Sequence, residues 1–246
     1  MTMKCELCAY SVEACRKAAR LGIDRVELCA SPAEGGTTPS LAAIEQASAI
    51  KGIDVSVMIR PRGGDFLYTD EEFELMLRDI EHARQAGATG VVFGILTADG
   101  KVDIERTRQL VEAAKGMETT FHRAVDMTED YEQAISDIIE TGCTRILTSG
   151  GYDKAIDGIN EIRKAIATAV QRIEIMIGSG VTAENAVLLA ATGADALHFS
   201  AKQHIPSDME YRNPRISMGG SNTVDEYSIR TVDEEEVKAI LKLIKG

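Results

Sequence analysis

Short apolar runs recur along this chain, separated by stretches with helical period. Four of the runs are approached in the same way. They are Leu21-Gly22-Ile23-Asp24-Arg25-Val26-Glu27-Leu28, Ala86-Gly87-Ala88-Thr89-Gly90-Val91-Val92-Phe93, Thr141-Gly142-Cys143-Thr144-Arg145-Ile146-Leu147-Thr148 and Thr192-Gly193-Ala194-Asp195-Ala196-Leu197-His198-Phe199. In each, a glycine follows a helical stretch and a strand-like run follows the glycine. Helices commonly end on a left-handed residue, where a Cβ is costly, so the glycine marks the stop. The four glycines stand 65, 55 and 51 residues apart, which leaves room for one αβα insertion in each gap. The repeat therefore predicts the second, fourth, sixth and eighth strands. The odd strands fall between them, near Lys4–Cys8, Val55–Ile59, Glu118–Phe121 and Glu174–Ile177. They are mostly apolar, as parallel strands buried on both faces should be.

The helices carry start signals. Thr69-Asp70-Glu71-Glu72 reads as a capping box ahead of Phe73, Met76, Leu77 and Ile80. Thr128 precedes a stripe of Tyr131, Ala134, Ile135, Ile138 and Ile139, and Asp233 precedes one of Val237, Ile240, Leu241 and Ile244. Unbroken βα alternation predicts a parallel sheet. The 246 residues allow about 31 for each of eight units, the size of one (β/α)₈ barrel. The expectation is α/β, a single TIM-barrel domain over residues 1–246. No Gly-x-Gly-x-x-Gly follows the first strand, which disfavours a dinucleotide-binding sheet. The stretch from Ala201 to Thr231 fits no unit. It carries Lys202, His204, Met209, Tyr211, Arg212, Arg215 and Met218. It reads as a long loop before the last helix, either a lid or a subunit contact or surface flap.

Composition narrows the function classes. Lys plus Arg total 27 against 39 Asp plus Glu, a net charge of −12. That argues against general binding of nucleic acid or of anionic membranes. Aromatics are 4% and tryptophan is absent, so base-stacking surfaces are not expected. No apolar run reaches the ~18 residues of a membrane span, and the N-terminus lacks the apolar core of a signal peptide. The five cysteines, an odd number, read as reduced thiols of a cytoplasmic protein.

In such a barrel the chemistry gathers at the C-terminal ends of the strands. The first strand ends Glu6-Leu7-Cys8 and the second Glu27-Leu28-Cys29. Residues two apart share a strand face, so inward glutamates bring both thiols inward, one layer higher. The eighth strand closes the barrel beside the first and ends His198-Phe199-Ser200. Across the mouth, strand three leads into Arg60-Pro61-Arg62-Gly63-Gly64-Asp65 and strand five into His122-Arg123-Ala124-Val125-Asp126. Three arginines and a histidine need anions. Either Glu6, Glu27, Asp65 and Asp126 pair with them, or an anionic ligand does. Strands six and seven end Ser149-Gly150-Gly151 and Gly178-Ser179-Gly180, segments whose N–H groups suit a phosphate or carboxylate. The plainer alternatives are a structural ion-pair layer and, for Cys8 and Cys29, small core fillers. Paired beside Glu and His, the two thiols also form a metal-ligand set. Cys5, Cys15 and Cys143 read as structural. Cys5 and Cys8 are three apart on one strand and face opposite ways.

These residues carry a resemblance. Glu6-Leu7-Cys8, Arg25-Val26-Glu27-Leu28-Cys29, Gly35-Gly36-Thr37-Thr38-Pro39-Ser40, Met58 through Phe66, Val91 through Leu96, Thr120 through Asp126, Ile146 through Gly151 and Met176 through Gly180 together resemble the CutC family of copper homeostasis proteins. The resemblance covers residues 1–200 in order, and Arg212-Asn213-Pro214-Arg215 is also similar. It implies a cytoplasmic (β/α)₈ barrel, often a homodimer, that handles copper and binds it through cysteines. Cys8 and Cys29 are then the candidate ligands for Cu(I), with Met58, Met176 or His198 as a third.

Two readings of function follow. One is copper binding at Cys8 and Cys29. The other is an enzyme or sensor for a small anionic, phosphorylated compound. There Arg60, Arg62, Arg123 and Ser179 clamp the anion, with Ser149, Gly150, Gly178 and Ser200 around it. Glu6 or Glu27 acts as general base, and His122 or His198 as general acid. A scaffold whose dimer surface matters is the third option.

Overall fold

The computed structural model describes residues 3–216 and 225–246. Eight parallel strands close into a barrel in the order β1 to β8, with β8 hydrogen-bonded to β1. The strands are β1 (Lys4–Ala9), β2 (Arg25–Leu28), β3 (Asp54–Met58), β4 (Gly90–Phe93), β5 (Glu118–Phe121), β6 (Arg145–Thr148), β7 (Glu174–Ile177) and β8 (Ala196–Phe199). Around them lie α1 (Val12–Leu21), α2 (Leu41–Ser48), α3 (Asp70–Gln85), α4 (Ile104–Ala113), α5 (Tyr131–Thr141), α6 (Ile159–Ala169), α7 (Ala186–Ala190) and α8 (Glu234–Lys245). This is the (β/α)₈ barrel that the repeat predicted. The four repeat glycines all take left-handed backbone, with φ between 81° and 92°, so each stops its helix and turns the chain into a strand.

The helix signals hold with one correction. Thr69 and Glu72 form both bonds of the capping box, and Asp233 caps α8. Helix α5 is capped by Asp130 instead of Thr128, through the bond from the Gln133 N–H. The Thr128 hydroxyl donates to the Val125 carbonyl, closing the short 3₁₀ turn before α5. Outward strand residues and inward helix faces make one large apolar core. Cys5, Cys15 and Cys143 lie in it, and burial pushes their thiols up to about 11, 12 and 11.

The interior of the barrel is different. Among the described residues, apolar side chains there form two small groups, Cys29 with Met58 and Val92, and Leu147 with Met176 and Ala196. Much of the rest is charged. Arg145 lies 2.9 Å from Glu174 and 3.3 Å from Glu118, and Glu174 is 3.7 Å from Arg25. Arg25 pairs in turn with the fully buried Glu6. The strand register explains the stagger, because Glu6 sits opposite Arg25, while Cys8 sits opposite Glu27. The two Glu-Leu-Cys segments are thus offset by one layer instead of level.

The stretch expected as one long loop begins and ends in strand. β9 (Lys202–Pro206) and β10 (Ser228–Val232) pair as an antiparallel ribbon. Arg230 of that ribbon lies over the Tyr10 ring, 4.3 Å from its centroid. Met218 falls outside the described residues. Among the described residues, no helix is long and apolar enough to cross a membrane.

Candidate functional site

A cavity of about 760 Å³ opens at the C-terminal mouth of the barrel, within the range of small-molecule sites. Glu27, His122, His198, Arg60, Arg123 and Cys8 all line it, with Ser179 and Ser200. Lys202 and Arg230 reach it from the ribbon. Cys8 and Glu27 of the first two strands therefore share one space with His198, Arg60, His122 and Arg123.

Glu6 lies beneath the cavity and is fully buried. Its Oε1 is 2.7 Å from His198 Nδ1, and its other oxygen accepts from Arg25 Nε. Burial alone would push Glu6 up, but the bonds from His198 and Arg25 outweigh it and hold the carboxylate at about 2. Glu6 is thus a fixed anion that orients His198, not the base that the sequence suggested. Glu27 Oε2 lies 3.7 Å from His198 Nε2. Burial acts against a charged imidazole, yet Glu27, Cys8 and Glu6 together raise His198 well above its ordinary range. For Glu27, burial dominates and pushes its carboxyl up to about 8. Its Oε1 is buried without a hydrogen-bond partner.

Cys29 lies behind the cavity wall, with its Sγ 3.4 Å from Glu27 Oε2. Donor atoms of Cys8, Glu27 and Cys29 lie within 4.8 Å of one another. A hydrogen bond from Cys29 and the nearby His198 hold Cys8 low, toward thiolate, against its burial. Its bond to Cys8, with burial and Glu27, keeps Cys29 a thiol.

The mouth arginines divide into paired and unpaired. Arg62 is bound to Glu72 and Asp65, at 2.6 and 3.0 Å. It is not a lining residue of the cavity, so it does not join the anion clamp. Arg123 pairs with Asp126 at 2.8 Å and also reaches Ser149 Oγ. Arg60 has no carboxylate among the described residues. It is 6% exposed and donates to the carbonyls of Glu34, Gly36 and Gly64. Its Nε is buried without a partner.

The glycine segments after β6 and β7 also depart from expectation. The N–H groups of Ser149 and Gly151 donate to the Asp126 carboxylate at about 3 Å, so this nest is filled from within. The Gly150 N–H is taken by Thr148 Oγ1, and the Gly178 N–H by the Thr148 carbonyl. Ser149, Gly150 and Gly178 therefore offer no free N–H to a ligand. Gly178 instead makes room, since a Cβ there would come within 2.6 Å of Leu147 and 3.2 Å of His198.

His122 differs from His198 in charge. Its Nδ1 accepts from the Ala124 N–H at 3.2 Å, which places the proton on Nε2. Burial and then the neighbouring Arg60 lower it to about 3. It is a neutral imidazole, unsuited to the general-acid role suggested by sequence. Its Nε2 is buried without a partner. Sequence reasoning did not single out Arg25, Arg145 or Glu174, which hold the interior charges, or Arg230, which lines the mouth. A charged residue inside a four-residue strand, two positions from a known inward residue, was the available signal.

Comparisons with known proteins bear on this site. A family model described as the CutC family matches residues 3–203. The chain belongs to the CutC family. The family protein CutC of Bacteroides thetaiotaomicron is 47% identical over 98% of both chains. That of Klebsiella pneumoniae strain 342 is 44% identical over 98% of this chain and 97% of the other. Among solved structures, a Streptococcus agalactiae CutC named for copper homeostasis is 39% identical, with a TM-score of 0.76. The match covers 80% of this chain and 97% of that one. Thiamine phosphate pyrophosphorylase from Pyrococcus furiosus, 12% identical over 99% and 96% at a TM-score of 0.60, shares the fold alone. The matched family segment of this CutC chain ends inside β9, so β10 and α8 lie beyond it.

The depressed histidine makes stability depend on pH in a defined direction. The unfolded chain takes up the His122 proton near pH 6.5 and the folded chain only near 3, so falling pH favours unfolding across that window. Glu27, raised to about 8, acts in the opposite sense between its ordinary value and 8. A comparison of variants therefore isolates His122. His122→Asn keeps an acceptor for the Ala124 N–H and removes the titrating ring. Urea midpoints measured from pH 6.5 to 3 should fall less steeply in His122→Asn than in wild type. Parallel curves would contradict the assignment.

Proposed function

We propose that the barrel mouth binds a small anionic compound and exchanges protons with it. The observation that carries this reading is Arg60, a buried cation with no acid partner among the described residues. An unpaired buried charge is costly, and a bound anion removes the cost with a charge-assisted bond of about 1.5–3 kcal/mol. Lys202 and Arg230 extend the positive rim, in a chain whose net charge is −12. The acids beside them are engaged, Asp233 as the cap of α8 and Glu236 as acceptor of the Ala183 N–H. Glu27 supplies the acid–base group, because its carboxyl is poised near neutral pH. We place the protein in the cytoplasm, where its thiols stay reduced. Inorganic phosphate, titrated while melting is followed, should raise the Tm of the wild type and leave that of Arg60→Ala unmoved. An equal rise in both would remove Arg60 from the site.

A second reading, copper binding, is favoured by the grouping of Cys8, Cys29 and Glu27. Thiolate and thioether donors suit Cu(I). Met58 packs against Cys29 and lines the cavity, so it is the thioether in place to join them. Met176 is fully buried, and its sulfur accepts from Arg25 at 3.4 Å. His198 is bonded to Glu6. Under reducing conditions the wild type should withdraw Cu(I) from a chromophoric chelator, and Cys8→Ser with Cys29→Ser should not. Equal withdrawal by both would exclude these ligands.

A further inference from the structure

Two neighbouring strands end in the same backbone turn, and one of the two turns holds an anion. After β6, Gly150 and Gly151 take left-handed backbone, with φ of 75° and 78°. After β7, Ser179 and Gly180 do the same, with φ of 81° and 71°. Each pair stands two and three residues beyond the last residue of its strand. Successive N–H groups in such a turn form a concave seat for an anion. In the first turn the Ser149 and Gly151 N–H groups donate to the Asp126 carboxylate at 3.1 and 3.0 Å. The chain thus demonstrates in its own fold that this backbone takes a carboxylate.

The second turn is built alike and holds no carboxylate of its own among the described residues. The Gly180 N–H, counterpart of that of Gly151, has no acceptor among the described residues, nor has the Ser179 N–H. Asp126 stands five residues beyond β5, and the residue at that place beyond β6 is Asp153. Asp153 meets the second turn through its carbonyl, which accepts from the Ser179 hydroxyl. The Ala155 N–H donates to the Ser179 carbonyl at 3.0 Å. Between these two anchors lies Lys154, and a Cβ on Gly180 would come within 3.2 Å of its aliphatic stem. A cation is therefore laid against the turn. Ser179, half-buried, and Gly180, exposed, line the cavity. Glu236 also lines it, but accepts from the Ala183 N–H, three residues past the turn. β7 stands four strands round the closed barrel from β3, which leads into Arg60, so the turn and Arg60 lie on opposite sides of the mouth.

We propose that the amides of Ser179 and Gly180, with Lys154, form a second anion seat that takes a carboxylate, so that the ligand of the mouth is a small phosphorylated carboxylic acid held at both ends. This rests on the anion reading above, in which Arg60 takes the first anion, and names the class of the ligand. A carboxylate is the group that the matching turn after β6 already holds. Joined in one molecule, the two contacts reinforce each other when the spacer spans both seats, and fail to when it does not. Lys202 and Arg230 line the same cavity and favour a ligand with more than one negative charge.

The probes are inorganic phosphate and a series of hydroxy acids phosphorylated at the far end, from phosphoglycolate upward by one carbon at a time, so that the reach is varied. Affinities are measured by calorimetry, and the amide signals of Ser179 and Gly180 by nitrogen–proton NMR. One acid of the series should bind about 100-fold more tightly than phosphate. It should move the Ser179 and Gly180 signals, which phosphate leaves in place, while those of Ser149 and Gly151, already bonded to Asp126, stay still. Lys154→Glu, at an exposed position, removes the cation and brings a carboxylate to the turn, and should cut the preference for the acid over phosphate about 10-fold. Acids that bind no better than phosphate, Ser179 and Gly180 signals that the acids leave unmoved or that phosphate alone moves, or a preference unchanged in Lys154→Glu, overturn this inference and leave the anion reading standing. Binding of neither phosphate nor any acid overturns the anion reading and this inference with it.

Discussion

Six side chains run as one chain of opposite charges through the barrel, Glu118, Arg145, Glu174, Arg25, Glu6 and His198, and Glu27 lies at its end. Barrels of this fold more often fill that space with layers of branched aliphatic side chains. Here each buried charge depends on its neighbours, because removing one partner of a buried pair costs roughly 3–5 kcal/mol. The chain begins at the half-exposed Glu118, 56% exposed, and ends at the cavity. Its last links set the chemistry of the mouth. Arg25 and His198 keep Glu6 ionised, Glu6 fixes the His198 ring, and His198 faces Glu27 and Cys8.

The two sides of the mouth are thereby given different tasks. On the β1, β2 and β8 side, the titratable groups of Glu27, Cys8 and His198 are crowded together. Beside Arg60, His122 is held neutral by its burial. Arg60 is held by three backbone carbonyls, which fix its position without cancelling its charge. A carboxylate in their place would have neutralised the cation. Asp126 does this for Arg123.

Much of this was legible in the sequence, and the losses have physical causes. Gly22, Gly87, Gly142 and Gly193 announced four helix ends because only a residue without a Cβ takes that backbone cheaply. The period of two in the strands placed Glu6, Cys8, Glu27, Cys29 and His198 inside together. The relative register of β1 and β2 was not legible. Shear between barrel strands slides Glu6 opposite Arg25, and that turned one expected base into a structural anion. Which carboxylate would neutralise which arginine was also hidden. Asp65 and Glu72 claim Arg62 through local loop geometry, and Asp126 folds back to fill the nest that Ser149 and Gly151 offer. The copper association came from family resemblance and is carried by no spacing in the chain.

The protonation of His198 tests this account most directly, since it reads the end of the charge chain where it meets the cavity. Imidazole nitrogen shifts, followed by NMR against pH in wild type and Glu6→Gln, report it. The account predicts an imidazolium in the wild type at neutral pH and a lower pKa in Glu6→Gln. A neutral His198 at pH 7, or a titration that Glu6→Gln leaves unmoved, would contradict it.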